Sequence, residues 1–178
     1  MDEHVHEHMS EDRDVNLHEH LDERMDERMD ERTRRRVIKE LNRFLKGRYM
    51  GIHQYEHLIS RARDPQLKDL LQELQRHAKM GAQKIAERIQ DLGGEAADGA
   101  GVMGEIAEWL QKLRNRPEDS KEILRDALAG ENKYGIRFSH KMVAGELDEE
   151  SARLVDMVLE EDQRRADLLK KYLREAEN

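Results

Sequence analysis

Four long stretches of this chain repeat apolar residues at intervals of three and four, and this spacing constrains the fold more than any other feature. Such a repeat places the apolar side chains on one face of an α-helix. The chain has two prolines and no alternating apolar and polar run long enough for a strand, so we expect an all-α protein. The predicted helices cover residues 33–63, 65–92, 119–143 and 148–175.

The connections between these helices predict how they are arranged. Asp64 and Pro65 suit the N-cap and first position of the second helix, and Gly93–Gly94 suits its end. Asp148 is expected to cap the fourth helix. Short connections make antiparallel hairpins of the first two and the last two helices. Roughly 25 residues, including a short amphipathic segment at Glu105–Arg114, separate the second helix from the third, which exceeds ordinary bundle loops. We therefore expect a four-helix bundle with one long crossover.

The first 32 residues form a separate zone that is rich in histidine and acidic residues. Of the net charge of -8, residues 1–36 carry -6, and the remaining chain is close to neutral. The zone has few apolar residues to bury, so we expect a disordered extension or, along the Asp-Glu-Arg repeat at 22–33, a solvated helix. Its five histidines are expected to bind divalent metals only weakly, because a disordered segment holds no preorganised site. They are His4, His6, His8, His18 and His20.

Composition excludes several classes of function. The chain has no cysteine, which removes disulfides, thiolate nucleophiles and sulfur-ligated metals. The near-neutral body offers no basic surface for nucleic acid, and no apolar run reaches the ~20 residues that a membrane span needs. No secretory signal is visible. We expect a cytoplasmic protein without nucleic-acid or membrane partners.

Four charged residues interrupt the apolar faces: Arg48 in the first helix, Glu131 in the third, and Asp162 and Arg165 in the fourth. Their charges sum to zero. Breaking a buried ion pair costs about 3–5 kcal/mol, so isolated charges on buried faces are unfavourable. We predict that the four meet in a salt-bridge cluster at mid-bundle. The alternative is that the faces are drawn one residue off and that the charged groups reach water from the edge.

Four segments carry a resemblance to a known family, and the first two are the more specific. Leu41–Tyr55 is similar to the first helix of bacterioferritin and Ala86–Gly94 to the end of its second helix, while 123–135 and 159–173 resemble the third and fourth helices. Over about residues 34–175 the chain resembles the ferritin-like superfamily, and most closely a bacterial four-helix domain of unknown function related to rubrerythrin and bacterioferritin. The resemblance implies a ferritin-like bundle, pairing of bundles into dimers, and a setting in stress or dormancy.

The resemblance also implies where metal ligands should stand. Active members hold two irons between carboxylates and histidines supplied by all four helices. The matching positions in this chain are Arg48, Ala78, Gly81, Glu131, Asp162 and Arg165. Two carboxylates and no histidine remain in this set, so the resemblance implies that the di-iron chemistry is lost and that no cofactor is expected.

Three functions are consistent with the sequence. The first is a non-catalytic ferritin-like protein with a structural or binding role. The second is a metalloenzyme that uses iron or another divalent metal to oxidise ferrous iron or consume peroxide at a displaced site. Two pairs of metal-ligating side chains four residues apart support that site, namely His53 with His57 and Glu73 with His77. Glu56 is the fifth candidate ligand. The third is a scaffold whose charged extension binds an unidentified protein partner. A homodimer through helix faces is expected.

Overall fold

The computed structural model describes residues 29–100, 119–136 and 147–177, together with Ala107 and Gln111. Regular structure in these ranges is helical, and no described segment forms a strand. The elements are α1 (Glu31–Arg61), α2 (Pro65–Asp91), α3 (Ser120–Gly130), a π-helix (Glu131–Ile136) that continues α3, and α4 (Glu149–Glu177). The predicted all-α class is confirmed.

The N-termini of α2 and α4 follow the local signals in the sequence. The Asp64 carboxylate accepts a hydrogen bond from the backbone N–H of Gln66 at 2.9 Å, and Pro65 occupies the first turn, where its missing N–H costs nothing. Asp148 accepts from the backbone N–H of Ser151 at 3.1 Å. Both predicted caps are confirmed.

The C-terminus of α2 closes in a Schellman motif. The N–H of Gly93 donates to the carbonyl of Gln90 and the N–H of Gly94 donates to the carbonyl of Ile89, both at 2.8 Å. Gly93 has a φ of 76°, a left-handed conformation that glycine adopts without steric cost. The predicted glycine stop is therefore confirmed, and it turns the chain into the long connection toward α3.

The third helix differs from the expectation of one α-helix over 119–143. At Glu131 the backbone changes to a π-helix, a wider turn that is frequent at functional sites. Glu131, one of the four charged residues that interrupt the apolar faces, is thus the first residue of the π-helix. The predicted end of this helix near residue 143 lies outside the described residues, as does the segment 105–114 apart from Ala107 and Gln111.

The chain divides between Arg35 and Arg36 into two units, and the apolar core belongs to the second. Side chains from all four helices are fully buried there, among them Leu41, Leu58, Leu71, Ile85, Ile123, Val155 and Leu169. Tyr172 of α4 lies outside the core and is 40% exposed. The buried face of α4 continues four residues beyond Leu169, to the partly buried Leu173, and not three residues beyond it. In the described part of the chain, no helix combines the length and apolarity that a membrane span requires.

Candidate functional site

The four charged residues of the apolar faces are buried. Arg48 is 5% exposed, Glu131 6%, Asp162 0% and Arg165 4%. These values disagree with the alternative in which the charged groups reach water from the edge of each face. The four side chains come from α1, the start of the π-helix and α4, and the structure brings them together in one cluster, called here the ion cluster.

Arg48 binds Asp162 with both of its terminal nitrogens. Nη1 donates to Oδ2, and Nη2 donates to Oδ1 at 2.7 Å. The guanidinium also lies near the ring of Phe44, with Cζ 5.7 Å from the ring centroid, within the range of a cation–π contact. A bidentate pair fixes both distance and orientation, so it sets the register of α1 against α4.

Arg165 connects the two carboxylates of the ion cluster. Its Nε donates to Glu131 Oε1 at 2.8 Å, and its Nη2 donates both to Glu131 Oε2 at 3.3 Å and to Asp162 Oδ1. The hydroxyl of Tyr55 donates to Glu131 Oε1 at 2.6 Å. Every carboxylate oxygen of Glu131 and Asp162 therefore accepts at least one hydrogen bond from a protein side chain.

The protonation states of the ion cluster follow from this geometry. Burial and the neighbouring Glu131 carboxylate raise the pKa of Tyr55 well above its ordinary value of 10.0, because a phenolate there would be a buried anion beside another anion. Burial alone lowers the pKa of Arg165, but the carboxylates of Glu131 and Asp162 outweigh burial and raise it. Tyr55 thus remains a neutral donor and Arg165 remains a cation at neutral pH.

Helix α2 contributes space to the ion cluster and no charge. A Cβ atom on Gly81 would lie 3.3 Å from Val158 Cγ1 and 3.7 Å from Arg48 Nη2. Ala78, with Arg48 and Arg165, borders a cavity of about 20 Å³, which is room for a water-sized molecule and too small for an organic substrate. A side chain at position 81 would therefore crowd Val158 and contact the guanidinium of Arg48.

The residues present do not fit a di-metal centre. Only Glu131 and Asp162 keep a carboxylate at the ligand positions that the resemblance implies, and their oxygens are already bound by Arg48, Arg165 and Tyr55. Within the described ranges, no three histidine, aspartate or glutamate side chains lie close enough together to hold a metal ion.

The residues of the displaced-site hypothesis do not assemble either. His53 Nδ1 lies 2.9 Å from Glu56 Oε2. Burial lowers the pKa of His57, whose Nε2 atom makes no hydrogen bond with the described residues. Glu73 and His77 line a groove between α2 and α4 that Arg165 also borders. The extension histidines, which are His4, His6, His8, His18 and His20, lie outside the described residues.

A second buried polar group, which the sequence analysis missed, lies near the ion cluster. Arg61 Nη1 is 3.4 Å from Asp126 Oδ2, and both side chains are buried. Gln54 is also buried and donates from Nε2 to the backbone carbonyl of Asp126 at 2.6 Å. A Cβ on Gly130 would lie 1.8 Å from Gln54 Oε1, so glycine there makes room for the amide. The seven-residue spacing of Gln54 and Arg61, which puts them on one helix face, was the signal that could have revealed this group.

Comparison with known proteins agrees with the fold. The family model for a domain of unknown function, DUF2383, matches residues 36–143. No curated protein matches the chain. A solved structure of the bacterioferritin-related protein from Bacteroides fragilis, described as a dodecameric thioferritin, is similar with a TM-score of 0.63 and 19% identity, over 80% of this chain and 87% of that one. At this identity the similarity concerns the fold, and the predicted ferritin-like bundle is confirmed.

Removing one charge from the ion cluster should destabilise the protein strongly. Arg48→Leu leaves Asp162 buried without its bidentate partner, and we expect the free energy of unfolding to fall by about 3–5 kcal/mol. Urea denaturation followed by circular dichroism measures the change. Lys171→Ala is the control, because Lys171 and its partner Glu175 are exposed; it should change stability by less than about 0.5 kcal/mol.

Removing all charged groups of the ion cluster together should lower the free energy of unfolding by less than Arg48→Leu does. A variant that replaces Arg48, Glu131 and Asp162 by leucine, Arg165 by methionine and Tyr55 by phenylalanine leaves no buried polar group of the cluster unpaired. An unfolding free energy for this variant below that of Arg48→Leu would contradict the account, as would an Arg48→Leu variant as stable as the control.

Tyr55 should make the free energy of unfolding fall at alkaline pH. Its pKa is higher in the folded state than the ordinary value of 10.0, so the stabilisation is complete below pH 10 and is lost as the pH rises toward the folded pKa. The loss is about 1.4 kcal/mol per pH unit in that window. Tyr55→Phe should remove this slope and, at neutral pH, lower stability by about 1–3 kcal/mol because Glu131 loses a donor.

Urea unfolding from neutral pH to above pH 10 compares the two proteins. Tyr172→Phe is the matched control at an exposed position and should keep the wild-type pH profile. Parallel profiles for the wild type and Tyr55→Phe would show that the buried phenol does not govern the alkaline loss.

Proposed function

We propose a function for this chain, which belongs to the DUF2383 family of domains of unknown function, from the geometry of its ion cluster. The protein is a non-catalytic ferritin-like helical protein, and the ion cluster stands where active relatives hold two metals. Its role is structural or binding, with no resident cofactor. The observation that supports this is the saturation of both carboxylates, Glu131 and Asp162, by donors from Arg48, Arg165 and Tyr55.

The arginines perform the electrostatic task that metal ions perform in active relatives. Two buried carboxylates need positive charge nearby, and the guanidinium groups of Arg48 and Arg165 supply it at hydrogen-bond distance. A divalent ion between Glu131 and Asp162 would displace these groups and leave two buried cations without their partners, which is strongly unfavourable. We therefore expect the ion cluster to exclude divalent metals.

The small space beside Glu131 supports the non-catalytic assignment. The cavity that this carboxylate borders measures about 20 Å³, which is too small for an organic substrate, and the Tyr55 hydroxyl already donates to Glu131. A buried neutral phenol and two paired carboxylates leave no free base or acid at the site. The setting in stress or dormancy comes from the family resemblance and is part of the proposal.

Self-association is the second part of the proposal. The Bacteroides fragilis protein of the same fold is described as dodecameric. Ferritin-like bundles commonly pair, and we take a homodimer as the smallest assembly of this chain. The pairing requires an exposed face with apolar side chains, which α4 provides through Met157 and Leu168.

Metal analysis of the untagged protein tests the non-catalytic assignment. The wild type and a variant with the five extension histidines (His4, His6, His8, His18 and His20) changed to serine are incubated with ferrous iron without oxygen, desalted and analysed by plasma mass spectrometry. We expect substoichiometric iron in both proteins and no acceleration of iron oxidation when oxygen is admitted, because the carboxylates are occupied by arginine.

Two variants identify the source of any bound iron. Asp162→Asn alters the ion cluster, and Asp167→Asn is the exposed control on the same helix. Stoichiometric iron that remains after the extension histidines are removed, and falls in Asp162→Asn but not in Asp167→Asn, would overturn the proposal. Stoichiometric iron lost in His53→Ala would favour the displaced site instead.

A further inference from the structure

A stripe of side chains on the outer face of α4 is used neither by the core nor by the ion cluster. Its members recur every three or four residues, so they align along one side of the helix. They are Arg153, Met157, Glu161, Arg164, Leu168 and Tyr172, and none of them is fully buried. Met157 is 49% exposed, Leu168 37% and Tyr172 40%. Aligned exposed apolar side chains of this kind mark a contact face.

The order of residues along this stripe is symmetric about its midpoint, which lies between residues 162 and 163. Outward from that point, acidic Glu161 corresponds to basic Arg164, and apolar Met157 corresponds to apolar Leu168. The outermost positions, Arg153 and Tyr172, match a cation with an aromatic ring, which is an attractive pair. A second α4 laid antiparallel on the first would therefore bring each side chain opposite a complementary one.

We propose that α4 pairs antiparallel with the α4 of a second copy of this chain, about a two-fold axis near residues 162 and 163. Such an interface uses the same patch on both copies, so every contact occurs twice. It contains two Glu161–Arg164 ion pairs and two Met157–Leu168 contacts. The inference rests on the self-association proposed above, and it is independent of the role of the ion cluster.

The charges that flank the stripe favour a second copy over a strongly charged partner. A groove of about 390 Å³ between α2 and α4 is lined by two acids, Glu73 and Glu161, by two bases at the surface, Lys84 and Arg164, and by the buried Arg165, whose charge is balanced within the ion cluster. A surface with equal numbers of both signs complements itself and attracts neither a polyanion nor a polycation. Met80, which is 51% exposed, adds apolar area to the same groove.

The ion pairs that Glu161 and Arg164 form within one copy are weak enough to be replaced by pairs with a second copy. Lys84 Nζ donates to Glu161 at 3.2 Å, and Arg164 donates to Glu160 at 3.4 Å. Both are partly exposed or exposed pairs, which contribute little to stability in water. Replacing them by pairs that bridge two copies costs little and adds the burial of Met157 and Leu168.

Charge-swap variants of the full-length chain test the pairing by sedimentation velocity. Arg164→Glu sets carboxylates against each other at both ion pairs, and Glu161→Arg sets guanidiniums against each other. Each change should raise the dissociation constant by about tenfold or more. The double variant Glu161→Arg/Arg164→Glu should restore association. An equimolar mixture of the two single variants should also associate, since each supplies the sign that the other lacks.

Two further variants complete the design. Lys170→Glu is the matched charge reversal; it lies roughly 120° around α4 from Arg164 and should leave association unchanged. Leu168→Lys removes an apolar contact without changing either ion pair, and it should weaken association as well. Thermal melts monitored by circular dichroism verify that each exposed substitution leaves the fold intact.

The outcomes separate this inference from the proposed function. Loss of association in the single variants with recovery in the double variant and the mixture supports the α4 pairing. A wild type that associates but ignores the swaps overturns the α4 pairing alone. A wild type that stays monomeric overturns self-association and the α4 pairing together. The stripe would then be a contact face for a different partner.

Discussion

Two guanidinium groups held against two buried carboxylates determine how the helices of this bundle pack. A buried charge that loses its partner costs several kcal/mol, so Arg48, Glu131, Asp162 and Arg165 must reach their places together. Apolar faces tolerate small slips of one helix along another, whereas a bidentate ion pair has one satisfactory geometry. The ion cluster therefore fixes α1 and the π-helix against α4, and the apolar contacts around it supply most of the stability.

The ion cluster contributes to the specificity of packing more than to stability. Buried ion pairs are often no more stable than well-packed apolar residues of the same volume. The residues around the cluster nevertheless all accommodate it: Ala78 is small, Gly81 leaves room for Arg48, and Tyr55 donates to Glu131. Because these neighbouring residues accommodate the ion cluster, we infer that the cluster restricts the helices of the bundle to one packing arrangement. The positions that the family resemblance assigns to metal ligands thus carry groups that balance charge without a metal.

Much of the fold could be predicted from the sequence, because its signals are local. Asp64, Pro65 and Gly93 set the ends of α2 through capping and backbone conformation, which depend on a few neighbouring residues. The four charges of the ion cluster were identified because they interrupt periodic apolar faces. The π-helix at Glu131 could not be predicted, since periodicity does not reveal a change in the hydrogen-bond register of the backbone. The hydrogen bond from the Tyr55 hydroxyl to Glu131 could not be predicted either, because its two residues lie 76 positions apart in the chain.

Anomalous diffraction at the iron edge, on crystals of the protein exposed to ferrous iron without oxygen, shows whether the ion cluster excludes metal. We expect Arg48 to remain bidentate on Asp162, Arg165 to remain between the two carboxylates, and no anomalous peak to lie within bonding distance of Glu131 or Asp162. A peak bonded to those carboxylates, with both guanidinium groups turned toward solvent, would contradict this expectation.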